Sequence, residues 1–198
     1  MKKVFFLMLI AILALPVFQS CKKGENDPAI SFLSRKARLV GEWKLTSGNR
    51  QVVYSNGETE TYTYDGALVV HESTGDPTET TVYTRTFTIY KDGVFTSARF
   101  EGNNQYYEEG VWYFGPRSKD LDLKNKETVC FSTTKYTYVF PPQPAQVIEM
   151  GGTHAIGYPY VWQIDRLSNK ELIFLIDEYY AAGNGNYTAT GTMTYTKQ

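Results

Sequence analysis

Near the end of the chain five threonines, Thr188, Thr190, Thr192, Thr194 and Thr196, alternate with Tyr187, Ala189, Gly191, Met193 and Tyr195. A period of two puts successive side chains on opposite faces of a strand. The pattern predicts a strand with a threonine face toward water and a mixed apolar face inward. Ala189 and Gly191 are small, so that inner face leaves room. Thr81–Tyr90 repeats the period, with Thr84, Thr86 and Thr88 outward and Tyr83, Arg85, Phe87 and Ile89 inward. Arg85 is thereby placed where its neighbours are apolar.

Turn signals punctuate the remainder. Asn56-Gly57, Asp65-Gly66 and Asp92-Gly93 lie between such runs, and these dipeptides mark tight hairpins. Tyr, Thr and Phe, all strand formers, are abundant. The reading is an all-β antiparallel meander of about eight to ten strands. Ser31–Val40, with Phe32, Leu33, Ala37 and Val40 near helical spacing, predicts one short helix over an end of the sheet. Pro141–Pro159 holds four prolines and three glycines and shows no period. It is a candidate lid or a surface excursion, since long structureless loops often carry function.

The start of the chain has a different pattern. Lys2 and Lys3 precede an apolar run, Val4–Phe18, then Gln19, Ser20 and Cys21. The run is shorter than the roughly 20 residues of a comfortable membrane span and has the layout of a secretory signal. With a Cys at its end it resembles a bacterial lipoprotein signal. Phe18 stands where that family usually has an aliphatic residue. The resemblance implies cleavage before Cys21 and its acylation, and hence a membrane anchor. Lys22 after that Cys resembles the outer-membrane pattern of Gram-negative lipoproteins, periplasmic or surface-facing. Residues 1–20 are then the signal peptide, 21–29 an acylated Cys with a flexible, polar tether, and 30–198 one domain.

Composition narrows the possibilities. Of 198 residues, 20 are Lys or Arg and 21 Asp or Glu; losing Lys2 and Lys3 with the signal leaves 178 residues of charge −3. No block of like charge exists, which disfavours nucleic acid as a partner. The only cysteines are Cys21 and Cys130. With Cys21 acylated, Cys130 has no intramolecular partner, and the pair is too few for a cysteine zinc site. Cys130 reads as a buried small hydrophobe in a strand.

The ordered motifs then form a resemblance. Val40-Gly41-Glu42-Trp43-Lys44-Leu45 resembles the Gly-x-Trp start of lipocalins. Phe87-Thr88-Ile89-Tyr90-Lys91-Asp92-Gly93-Val94-Phe95 resembles the Asp-Gly hairpin of bacterial lipocalin-like lipoproteins. Gly110-Val111-Trp112-Tyr113 resembles their second Gly-x-Trp, and Trp162–Leu172 a later hairpin with a Ser-Asn turn. The resemblance implies an up-and-down antiparallel β-barrel, closed at one end, with Trp43 as its plug. An arginine from a later strand often covers that Trp in lipocalins; Arg166 and Arg85 are the candidates here.

Catalytic chemistry finds little footing. His71 and His154 are far apart in sequence. The neighbours in Glu108-Glu109 and Asp177-Glu178 point to opposite faces of a strand. Asp120 and Asp122 share a face but lack the turn glycine of a calcium loop. No phosphate loop, dinucleotide fingerprint or nucleophile elbow is present. The chain is therefore expected to bind rather than catalyse, with no cofactor and no metal. Tyr83, Phe87, Tyr187 and Met193 are candidate walls for a small, mostly apolar ligand. Arg85 is a candidate anchor for an acidic head group, or else the partner of a carboxylate on a neighbouring strand. The alternative is a solid barrel displayed at the surface. It would bind protein or glycan through Tyr- and Asn-rich loops such as Asn103–Tyr107 and Tyr179–Tyr187.

Overall fold

The computed structural model describes residues 26–28, 31, 33–149, 160–182 and 185–198. Cys21 and His154 lie outside these, as do the expected signal peptide and residues 150–159 of the proline-rich stretch. One helix, α1 (Arg35–Leu39), precedes eleven strands: β1 (Gly41–Tyr54), β2 (Thr59–Tyr64), β3 (Leu68–Ser73), β4 (Glu79–Ile89), β5 (Val94–Glu101), β6 (Asn104–Phe114), β7 (Thr128–Val139), β8 (Gln146–Glu149), β9 (Tyr160–Leu167), β10 (Glu171–Ala182) and β11 (Gly185–Lys197).

The strands form a closed antiparallel β-barrel, as the sequence pattern and the lipocalin resemblance both lead one to expect. Neighbours in sequence pair around the ring; β7–β9 and β1–β11 complete it, giving ten strands. The ring is narrower at one end. There β1 pairs directly with β4 through Gly41↔Ile89 to Lys44↔Thr86, so the β2–β3 hairpin is bypassed and eight strands close the wall. Farther along, β1 leaves β4 and pairs with β2 from Gly48↔Tyr64 to Val53↔Thr59. Insertion of β2–β3 thus widens the barrel away from Trp43. Closure removes most of the exposed strand edges that invite aggregation; among the described residues β8 pairs only with β7, and β10 beyond Leu175 only with β11.

α1 is shorter than the span Ser31–Val40 read from spacing. The Ser34 hydroxyl accepts the Ala37 N–H at 3.1 Å and caps the helix there, leaving Leu33 outside and exposed. Within Pro141–Pro159, Gln146–Glu149 is not structureless: it forms β8, hydrogen-bonded to β7 through Tyr138↔Gln146 to Lys135↔Glu149. Four residues between prolines are too few to show a period.

The core is a single cluster at the narrow end. Phe87 and Phe131 stack at 5.7 Å, with Phe95, Phe174 and Tyr195 around them. Gly110 permits this: a Cβ there would collide with the Ser132 carbonyl and with Phe95, 2.7 Å away. Trp43 is fully buried and its indole N–H donates to the Leu39 carbonyl at 2.7 Å, the plug position that the resemblance implied. Trp112 is held likewise, to the Tyr90 carbonyl at 2.8 Å.

Neither expected arginine covers Trp43. Arg166 is half exposed and pairs with Glu171 at 3.0 Å, because its place in β9 turns it outward. Arg85 lies farther along the barrel. Lys197, opposite Trp43 in the β1–β11 register, takes that place. Asp27, in the segment read as a tether, is buried at the closed end. It pairs with Arg35 at 3.1 Å and Arg38 at 3.3 Å and accepts the Leu167 N–H at 2.8 Å.

Candidate functional site: a cavity in the barrel

Above the aromatic core the interior is not filled. Ala189 and Gly191 on β11, expected to leave room, do not line the space, and a Cβ at Gly191 would collide with the Asn49 carbonyl of β1. Instead, the inserted β2–β3 hairpin moves β4 away from β1. The resulting cavity of about 330 Å³ is at the small end of ligand pockets, which run from about 300 to 1,000 Å³. One wall is apolar: Trp162, Phe174, Ile176 and Met193. The other is polar, with Arg50, Arg85, Arg99 and Glu108 beside Tyr64 and Tyr83.

Tyr83, Arg85, Tyr187 and Met193 line this cavity together, although they come from two strands distant in sequence. Tyr187 stacks on Tyr180 at 5.1 Å, near the rim. Phe87, also expected in the wall, is instead in the core floor, 5.2 Å from Tyr195 and 5.4 Å from Trp162. The inward face of β4 descends from Tyr83 through Arg85 to Phe87, and by Phe87 the barrel has narrowed to its eight-stranded ring.

Arg85 has no carboxylate partner among the described residues. Its guanidinium lies over the Phe87 ring at 4.7 Å and the Trp162 ring at 5.0 Å, while its Nε is buried with no hydrogen-bond partner. Burial works against its charge. Its pKa is nonetheless raised, with Glu108 the neighbouring carboxylate that favours the charged form, and it stays a cation. Burial pushes the Tyr64 and Tyr195 phenols well above their ordinary value. Both stay neutral hydroxyls, and the Tyr195 hydroxyl is itself buried without a partner.

Arg99, missed in the sequence, stands directly opposite Arg85 in the β4–β5 register. The signal was present. The Asp92-Gly93 turn pairs Ile89 with Phe95, and four residues farther along each strand are Arg85 and Arg99. Glu178 pairs at the rim with Arg50 at 3.4 Å. Glu108 accepts from the Thr133 hydroxyl at 3.3 Å.

The other sequence candidates fall elsewhere. His71 stacks on Tyr62 at 4.5 Å and lies 3.8 Å from Glu60, a packed histidine in the wall. Cys130 is buried in β7. Asp177 is exposed on the outer face of β10. Among the described residues no group of three or more His, Cys, Asp or Glu is arranged to hold a metal ion. Comparisons with protein-family models, curated proteins and solved structures return no match.

Proposed function

We propose that this chain is a lipid-anchored, lipocalin-like envelope lipoprotein that binds a small, mostly apolar ligand inside its barrel. The observation that carries the reading is the unfilled cavity of about 330 Å³, with an apolar wall and an unpaired Arg85. A barrel built only as a scaffold gains nothing from the space, since an empty interior forfeits packing contacts. The aromatic floor beneath and Trp43 at the closed end leave the wide end as the way in.

Acylation of Cys21 would place that wide end away from the bilayer. Asp27 is pinned beside Leu167 at the closed end, and the six steps of chain from Cys21 to Asp27 reach at most about 22 Å when extended. The closed end then faces the membrane and the mouth faces the aqueous side, so ligand arrives from solution rather than from the anchoring leaflet. Outer-membrane attachment belongs to the same proposal.

Native mass spectrometry of the full-length protein, stripped of detergent after exposure to a cell lipid extract, tests the binding. A discrete added mass, lost on a delipidating resin and regained on re-exposure, is the expected result. A clean apo mass throughout overturns it and points to the solid-barrel alternative with loop partners. Labelling of the wild type with a palmitate analogue, absent from Cys21→Ser, tests the anchor.

A further inference from the structure

Arg85 and Arg99 pose a problem that neither the fold nor the core explains. They are direct cross-strand partners on the inward face of the β4–β5 hairpin, and both line the cavity. Like charges directly opposite one another destabilise a sheet. Ion pairs normally relieve this, and among the described residues those made by arginine belong to Arg35, Arg38, Arg50 and Arg166. Arg85 and Arg99 make none.

The nearby acids are accounted for. Glu178 is taken by Arg50. Glu108 is hydrogen-bonded by Thr133 and lies beyond ion-pair distance of either arginine. Glu101 faces Tyr83, one step up the hairpin. What holds the two guanidiniums is aromatic: Phe87 and Trp162 for Arg85, and Tyr106 at 3.9 Å for Arg99. A ring face attracts the cation but leaves the planar N–H fork open for a carboxylate or phosphate. Among the residues that line the cavity, Arg50, Arg85 and Arg99 outnumber Glu108 and Glu178 by one positive charge.

Resting on the cavity reading, we infer that Arg85 and Arg99 together form the head-group site for an amphiphilic acid. Its anionic oxygens bridge the two guanidiniums, and its apolar body lies against Trp162, Phe174, Ile176 and Met193. The ligand is thus an acid rather than a neutral lipid, and small, because the cavity is small.

The test compares probes of equal length on the full-length protein by native mass spectrometry: decanoate, decanol and inorganic phosphate. Decanoate is expected to be retained one per chain, at least tenfold better than decanol. Arg85→Gln and Arg99→Gln should each lower decanoate retention at least tenfold and leave decanol unchanged. Arg85→Lys, which keeps the charge without the fork, should fall in between. Arg117→Gln removes one exposed loop charge and should change nothing. Near-ultraviolet circular dichroism checks that each variant keeps its aromatic core.

Equal retention of decanoate and decanol, or folded Arg85 and Arg99 variants that still hold decanoate, overturns the head-group site while leaving the cavity reading intact. Retention of phosphate but not decanoate overturns the amphiphile in favour of a free oxyanion. A neutral adduct from the lipid extract likewise overturns the acid. Failure of every probe and of the extract removes the cavity reading with it.

Discussion

The Lys197 ammonium lies 5.2 Å from the centre of the Trp43 ring and donates to the Arg38 carbonyl at 3.0 Å and to the Val40 carbonyl. One side chain thus covers the barrel plug and ties β11 to the end of α1. Desolvation lowers its pKa, yet two carbonyls and a ring face hold the charged form in place. Lys197→Met keeps the stem but loses the cation–π contact and both hydrogen bonds. The expected cost is about 1–3 kcal/mol, read from urea unfolding, with Trp43 fluorescence reporting the plug. No change would show that Trp43 needs no cover.

Asp27 carries a second junction at the closed end. Its carboxylate is shared by the buried Arg35 and Arg38 and also accepts the Leu167 N–H. Removing one member of a buried ion network leaves uncompensated charge. Asp27→Ala is expected to cost about 3–5 kcal/mol in chemical denaturation. A triple variant, with Arg35→Met and Arg38→Met added, should regain much of that stability. If Asp27→Ala alone is neutral, the segment before α1 does not belong to the folded unit.

The turn that opens the barrel also has a pH signature. The Asp65 carboxylate accepts the backbone N–H groups of Ala67 at 3.0 Å and Leu68 at 2.8 Å, and these bonds hold its pKa below the ordinary 3.8. A carboxylate with a depressed folded pKa stabilises above its unfolded pKa and loses that contribution as pH falls through the folded value. Asp65 therefore should titrate below 3.8 in a carboxyl-detected NMR experiment. Asp65→Asn should flatten the acid limb of stability contributed by the β2–β3 turn.

Much of this architecture was legible because strand chemistry is local. Period two placed Arg85, Met193 and Tyr195 inward, and Asp-Gly turns located the hairpins. What was not legible depends on pairing between distant strands. Nothing local to Lys197 marks it as the neighbour of Trp43, which is set by a β1–β11 register spanning the chain. Phe87 and Tyr83 share a face and look alike in sequence. Only the narrowing from ten strands to eight puts one in the floor and the other in the cavity wall. Arg99 was within reach, since counting outward from Asp92-Gly93 leads to it.

Filling the cavity should separate binding from folding. Ile176 lines it from β10 and is partly buried against the core. Ile176→Trp adds volume toward empty space rather than into close-packed atoms, so the 1–3 kcal/mol typical of overpacking should largely be avoided. The thermal midpoint is expected to hold while the adduct acquired from lipid extract disappears. A retained adduct would place the ligand outside the barrel.

Thiol counting tests the anchor and the core together. Cys130 is buried in β7, and desolvation raises its pKa above the ordinary 9.0. Thiolate, the reactive form, is therefore scarce in the native state. The native protein should react with a thiol reagent only at its unfolding rate, accelerating in urea as the barrel opens. After full denaturation, protein purified from membranes should yield one thiol per chain, because of its two cysteines Cys21 is expected to be blocked as a thioether. Two thiols would mean that Cys21 is present and unmodified, and the lipid anchor would fall. One thiol, with none of it reactive before unfolding, together with the mass of a diacylglyceryl adduct on the Cys21 peptide, is the outcome that acylation of Cys21 requires, and it leaves Cys130 to packing alone.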